Sequence, residues 1–208
     1  MGKVRYVSRL EEVTGLTSIE RRRLQEVSSR FAFRSNTYYL GLIDWSDPDD
    51  SIRRIIIPRA DELTPWGLLD ASCEGVYTVA PGLEHKYQFT VVLLANNLCG
   101  GFCRFCFRKR LFMKGNEETV RDIGPALEYI RSHPKVSNVL VTGGDPLLLS
   151  TAKVRSILER LRVIDHVRII RIGSKLPAFN PHRFLDDPAL IDTLGAYNEP
   201  DRRVYLMA

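Results

Sequence analysis

The chain has 208 residues, of which 44% are hydrophobic and 26% charged, with a formal net charge of +5. That is enough apolar material for one domain with a real core. The basic residues are scattered rather than gathered in a stripe with interleaved aromatics, which argues against nucleic acid and for a small anionic substrate. No run of eighteen apolar residues is present, so no segment spans a membrane, and the opening MGKVRYVSRLEEV has no apolar signal core.

Residues 1–35 read as helix. Leu10, Val13 and Leu16 recur at helical spacing, and a second segment opens at Ser18 with Leu24, Val27 and Phe31 on its stripe. Arg21 to Arg23 read as its solvated face. Residues 36–62 are a structured connection, with Asp47-Pro48-Asp49-Asp50 as a turn. Cys73 reads as a half-buried lone thiol. From His85 the texture changes. Phe89–Leu94 is a short β-branched run, and Thr119–His133 is helical, with the regular helix starting at Pro125. Asn138–Thr142 is a strand, Thr151–Val163 a helix and Val167–Ile172 a strand. Asp187-Pro188 opens a further helix as cap and first-turn proline, and Val204–Met207 is a fourth strand. Strands alternating with amphipathic helices predict βαβ units and a parallel sheet, with chemistry at the C-terminal strand ends. The expected division is a helical extension and connection over 1–84 and an α/β core over 85–208. A last strand with no helix after it reads as a truncated chain.

Three of the four cysteines, Cys99, Cys103 and Cys106, stand at C-x3-C-x2-C spacing directly after the first strand. Three thiolates with a fourth position open make a poor structural zinc site, which wants four closed ligands. They suit a 4Fe-4S cubane whose fourth iron is left for a non-protein ligand. Gly100 and Gly101 are expected to bend the loop and bring its amides near the cluster sulfurs. The alternative is a zinc knuckle completed by Cys73 or His85. Gly143-Gly144-Asp145-Pro146 ends the next strand, and Gly173-Ser174-Lys175 the one after, so three loops fall on one rim. Alone, GGDP reads as a turn. Free cysteines in this arrangement point to a reducing cytoplasm.

The cysteine triad followed by the GGDP loop resembles the radical S-adenosylmethionine (SAM) enzymes. The stretches TYYLGLIDWSDPDD, VAPGLEHKY, CRFCFRKR, VLVTGGDPLLL and HVRIIRIGSKLP are similar to the lysine 2,3-aminomutase family, in the family's order. The resemblance implies a partial (β/α) barrel with an N-terminal helical extension. It also implies reductive cleavage of SAM and hydrogen abstraction from an amino acid held by pyridoxal phosphate, followed by migration of its amino group. Phe105 then falls beside the adenine. Gly143, Gly144 and Asp145 receive the methionine ammonium, and Arg108 grips the substrate carboxylate. Lys86 and Tyr87 fall near the pyridoxal phosphate group. Implied partners are an amino acid substrate, an electron donor such as ferredoxin or flavodoxin, and a second copy in a homo-oligomer. Two alternatives stand beside this: a radical SAM enzyme without pyridoxal phosphate, and a non-catalytic zinc or iron–sulfur module.

Overall fold

The computed structural model describes residues 3–65 and 67–208. Its centre is a six-stranded sheet in the order β3 (Thr78–Ala80), β4 (Leu83–Tyr87), β5 (Thr90–Asn96), β6 (Asn138–Gly143), β7 (Ile169–Gly173) and β8 (Arg203–Met207). β5 to β8 are parallel, and β3 and β4 join antiparallel on the β5 side. A short antiparallel pair, β1 (Tyr6–Val7) and β2 (Ser35–Asn36), stands outside that sheet.

The crossovers carry α4 (Gly124–Ser132), α5 (Thr151–Arg162) and, after β7, α6 (Leu176–Phe179), α7 (His182–Leu185) and α8 (Pro188–Ala196). Alternation along each strand sends Val91 and Leu93, Val139 and Val141, and Ile170 and Ile172 into one core with Leu127, Ile130, Leu158, Leu161 and Leu190. The three long crossover helices therefore cover one face of the sheet. The opposite face presents Leu140, Thr142 and Gly173 to a cavity. At the β8 edge, Tyr205, Leu206 and Met207 are partly exposed.

The N-terminal part is less helical than its apolar spacing predicts. Among its described residues only α1 (Ser18–Arg30) is a long helix, opened by a reciprocal Thr17–Glu20 capping box. Leu10, Val13 and Leu16 are buried, but on a single 3-10 turn (Leu10–Glu12) and the irregular chain after it. The connection holds α2 (Thr37–Leu40) and α3 (Ser51–Ile56). The Asp47–Asp50 turn forms as expected, and Asp50 accepts from Arg53 N at 2.7 Å to cap α3. Asp187 stands at the N-cap of α8 with Pro188 in its first turn, as expected, but its side chain makes no cap hydrogen bond. Its carboxylate accepts from Thr151 Oγ1 and Arg183 Nη1 instead.

A boundary between residues 84 and 85 would cut through β4. The N-terminal segment packs as a second apolar cluster that includes Phe179 of α6 and touches Cys103. Phe102 N donates to Arg34 O at 2.9 Å, and Arg104 N donates to Ile55 O at 2.8 Å. This segment is thus the back wall of the cysteine loop.

Candidate radical-chemistry site

The cysteine loop leaves β5 at its C-terminal end, where the β6 and β7 loops also emerge. Cys99, Cys103 and Cys106 line one wall of a cavity of about 430 Å³. Gly143, Gly144 and Asp145 line the second wall, and Gly173, Ser174 and Lys175 the third. Phe105 and Arg108 also line it, and Lys175 Nζ lies 5.4 Å from the Phe105 ring centre. A concave site of this size with a few convergent polar groups has the form of a small-molecule site.

Loop-to-loop contact explains the glycines. Gly143 adopts φ +105°, and a side chain there would fall 2.7 Å from Asn96 O. On Gly144 it would fall 2.3 Å from Leu98 O. What presses on this pair is the cysteine loop itself. Asp145 N donates to Leu98 O at 2.7 Å, and Asn96 Nδ2 donates to the carbonyls of Leu98 and Asp145. Asn96 therefore stitches the two motif loops together, a role its sequence position did not reveal. Gly100 and Gly101 have no positive φ. They are glycines because Leu176, Phe179 and Ile56 lie where side chains would go.

The three thiols are partly buried, and burial pushes the pKa of each upward. The Lys175 charge pulls Cys103 back down, and the Arg108 amide, then the Arg108, Lys109 and Lys175 charges, do the same for Cys106. Metal must therefore displace protons from them. Among the described residues, no three His, Cys, Asp or Glu side chains converge on one point to hold a single ion. A cubane asks for something else, since each thiolate binds its own iron. Neither candidate fourth zinc ligand is at hand. Cys73 is exposed at the turn over Glu74–Tyr77, not half-buried as the sequence suggests, and His85 pairs with Tyr129 at 2.8 Å. The donor set, three soft sulfurs on one wall of a small-ligand cavity, fits a cubane with one open iron.

Asp145 is 3% exposed, and both its oxygens are taken. It accepts from Leu147 N at 3.1 Å, Lys175 N at 2.9 Å and Ser174 Oγ at 2.7 and 2.9 Å. Burial pushes its carboxyl up, against the pull of these donors. A ligand ammonium would meet this carboxylate only by displacing one of them.

The cations after the cysteines meet protein carboxylates rather than facing a ligand freely. Arg104 forks onto Glu62, which also receives Lys109. Arg110 reaches Glu74 and Glu118. Arg108 forks onto Glu74 with contacts of 2.6 to 3.0 Å. Glu74 lies in a loop with no motif, and nothing local in the sequence flagged it. Lys86 and Tyr87 do not line the cavity. They sit at the end of β4 that pairs with Thr90, the N-terminal rim of the parallel sheet. Lys86 Nζ lies over the rings of Tyr77 and Tyr87 there. These residues do not fit a pyridoxal phosphate site at the cysteine rim.

Glu84 is buried beside Arg108, at 4.0 Å. Burial, then the Glu74 charge, raises its pKa from 4.5 to about 7. A raised carboxyl binds more protons folded than unfolded, so its contribution to stability falls as pH rises from 4.5 to about 7. The loss is on the order of 3 kcal/mol at one pKa unit per 1.36 kcal/mol. Glu84→Gln is therefore expected to raise the melting temperature at pH 8 and change it little at pH 5. A lower melting temperature at pH 8 would contradict this account of the cluster of charges.

Comparison with known proteins agrees with this geometry. The family model described as the radical SAM superfamily matches residues 94–207, from the end of β5 through β8 with all three cavity loops. An Aquifex aeolicus protein named "Putative L-lysine 2,3-aminomutase" is 53% identical over 206 residues, covering 99% of this chain and 55% of that protein. The L-lysine 2,3-aminomutase of Clostridium subterminale is 35% identical over 199 residues, covering 94% of this chain and 47% of that enzyme. The Escherichia coli L-lysine 2,3-aminomutase is 32% identical over 158 residues, covering 75% of this chain and 46% of that enzyme. The chain spans about half the length of the curated relatives it matches. With three thiols and the Gly143-Gly144 loop on one cavity inside the matched region, the chain belongs to the radical SAM superfamily and, within it, to the lysine 2,3-aminomutase family.

Proposed function

We propose that the chain carries the initiating site of a radical SAM enzyme of the aminomutase type, on a partial (β/α) barrel. The observation that carries this is the meeting of three thiols from one loop with the Gly143-Gly144 loop around a single cavity. Helices gathered on one face of a mostly parallel sheet support the barrel reading, since a barrel keeps its helices outside and its site at the C-terminal strand ends. Cys99, Cys103 and Cys106 would hold a 4Fe-4S cluster, with the open iron left to SAM. When bound, the cluster and SAM supply one-electron, hydrogen-abstracting chemistry that starts amino-group migration on an amino acid.

The chain's own residues bind and orient. Phe105 offers its ring face, and the Gly143-Gly144 turn brings backbone close to the ligand's amino end. Asp145 fixes that turn against Ser174 and Lys175. Arg108 offers a guanidinium fork that a substrate carboxylate would have to share with Glu74. An electron donor such as ferredoxin or flavodoxin and a cytoplasmic setting belong to the same proposal. No helix among the described residues is long and apolar enough to cross a membrane.

One observation favours a second reading, the same initiation without pyridoxal phosphate: Lys86 and Tyr87 lie at the rim away from the cysteines. The test for both uses the anaerobically reconstituted chain with SAM and dithionite. The expected product is 5′-deoxyadenosine above a chain-free control. Full iron loading with no nucleoside formed would contradict the proposal. Formation of β-lysine from lysine only when pyridoxal phosphate is added would favour the first reading over the second.

A further inference from the structure

We propose that Arg34 is a positioning residue for the cluster, which it serves by gripping the Cys99 backbone and holding a positive charge beside that ligand. The inference rests on the cluster reading above. Arg34 Nε donates to Cys99 O at 2.9 Å. Two residues on, Asn36 Nδ2 donates to Gly100 O at 3.0 Å and to Phe179 O at 2.9 Å. Positions two apart on extended chain project to the same side, so Arg34 and Asn36 hold consecutive carbonyls of the cysteine loop. Asn36 is fully buried, and its Oδ1 accepts from Tyr39 N at 2.9 Å, so the grip has no slack.

The charge of Arg34 is also held in place. Its guanidinium carbon lies 4.3 Å from the Tyr6 ring centre, and its own carbonyl accepts from Phe102 N. The groups acting on it are its burial, Tyr6 and Cys99, with no carboxylate among them. Of the other cations near the cysteines, Arg104 and Lys109 share Glu62 and Arg108 and Arg110 share Glu74, while Lys175 acts on Cys103 and Cys106 rather than on Cys99. Arg34 is thus a cation without a carboxylate partner of its own beside Cys99, set against the Asp145 carboxylate that also acts on that sulfur. One electron delivered to the cluster adds one negative charge, and a nearby fixed cation favours that state. The charge therefore raises the midpoint potential, and Arg34 is where the N-terminal segment meets the electron-transfer step.

The test compares parent, Arg34→Gln and Arg34→Lys after anaerobic reconstitution, with iron content and spectroelectrochemical midpoint potential as readouts. One mediator-supplied electron per cluster is followed. Arg34→Gln is expected to load iron as the parent does and to shift to a more negative potential, with Arg34→Lys restoring most of the shift. Equal potentials at equal iron content would overturn the proposal. So would loss of the cluster in both variants, which would make Arg34 a structural brace alone. A parent that takes up no iron would bring down the cluster reading itself, and that result is read without either variant.

Discussion

Cys106→Ala is expected to yield a folded chain without a stable cluster and with no SAM cleavage above background. Cys106 sits in a turn, its amide donating to Cys103 O at 3.1 Å, and it contributes little to either apolar cluster. Trimming such a half-buried turn residue changes stability by about 1 kcal/mol or less. Its sulfur is another matter. With three ligands already the minimum for a cubane with one open iron, two cannot hold it, and without it no electron reaches the cosubstrate. The effect is therefore all-or-none on iron content and near zero on the melting curve. Cys73→Ala is the control and is expected to keep its iron, because Cys73 lies outside the cavity. Retention of the cluster in Cys106→Ala would contradict the assignment of the triad.

Asp145→Ala is expected to lower global stability as well as SAM affinity. Deleting the carboxylate leaves the amides of Leu147 and Lys175 and the Ser174 hydroxyl without the acceptor that they share. The Leu147 amide is buried and the Lys175 amide partly so, and leaving both without an acceptor costs on the order of 2 kcal/mol together. The loss also frees the β7 loop from the β6 loop, so the second and third walls of the cavity separate. Denaturant unfolding and isothermal titration with SAM read the two effects. Weaker SAM binding at unchanged stability would instead mean that the acid acts on the ligand alone, as the family resemblance suggests.

The sheet and the site differ in how far local sequence reached. β5, β6 and β7 were legible because strands buried on both sides read as continuous β-branched runs, and the cysteine and GGDP loops followed directly from them. The β3–β4 hairpin was missed because its strands are short and partly exposed, with only Pro81-Gly82 to mark the turn. Residues 10–16 misled because apolar spacing of three or four also serves an irregular chain pressed into a core. At Gly15 a side chain would collide with the Trp45 ring, thirty positions away. The cavity's three walls were legible by topology. What holds them was not, since Asn96, Arg34 and Glu74 act through partners 34 to 65 residues distant. Such partners leave no periodic trace. The clearest case is Arg108, whose motif position suggested a free fork while Glu74 already occupies it.

The central claim is that Cys99, Cys103 and Cys106 hold a cubane cluster open to a small ligand. The measurement that bears on it most directly is metal and inorganic sulfide analysis of the anaerobically reconstituted chain, with and without SAM, alongside the electron paramagnetic resonance of the reduced sample. The account predicts about four irons and four sulfides per chain, no bound zinc, and a reduced-cluster signal that changes shape when SAM is added. One zinc per chain without sulfide, or a cluster signal indifferent to SAM, would contradict it.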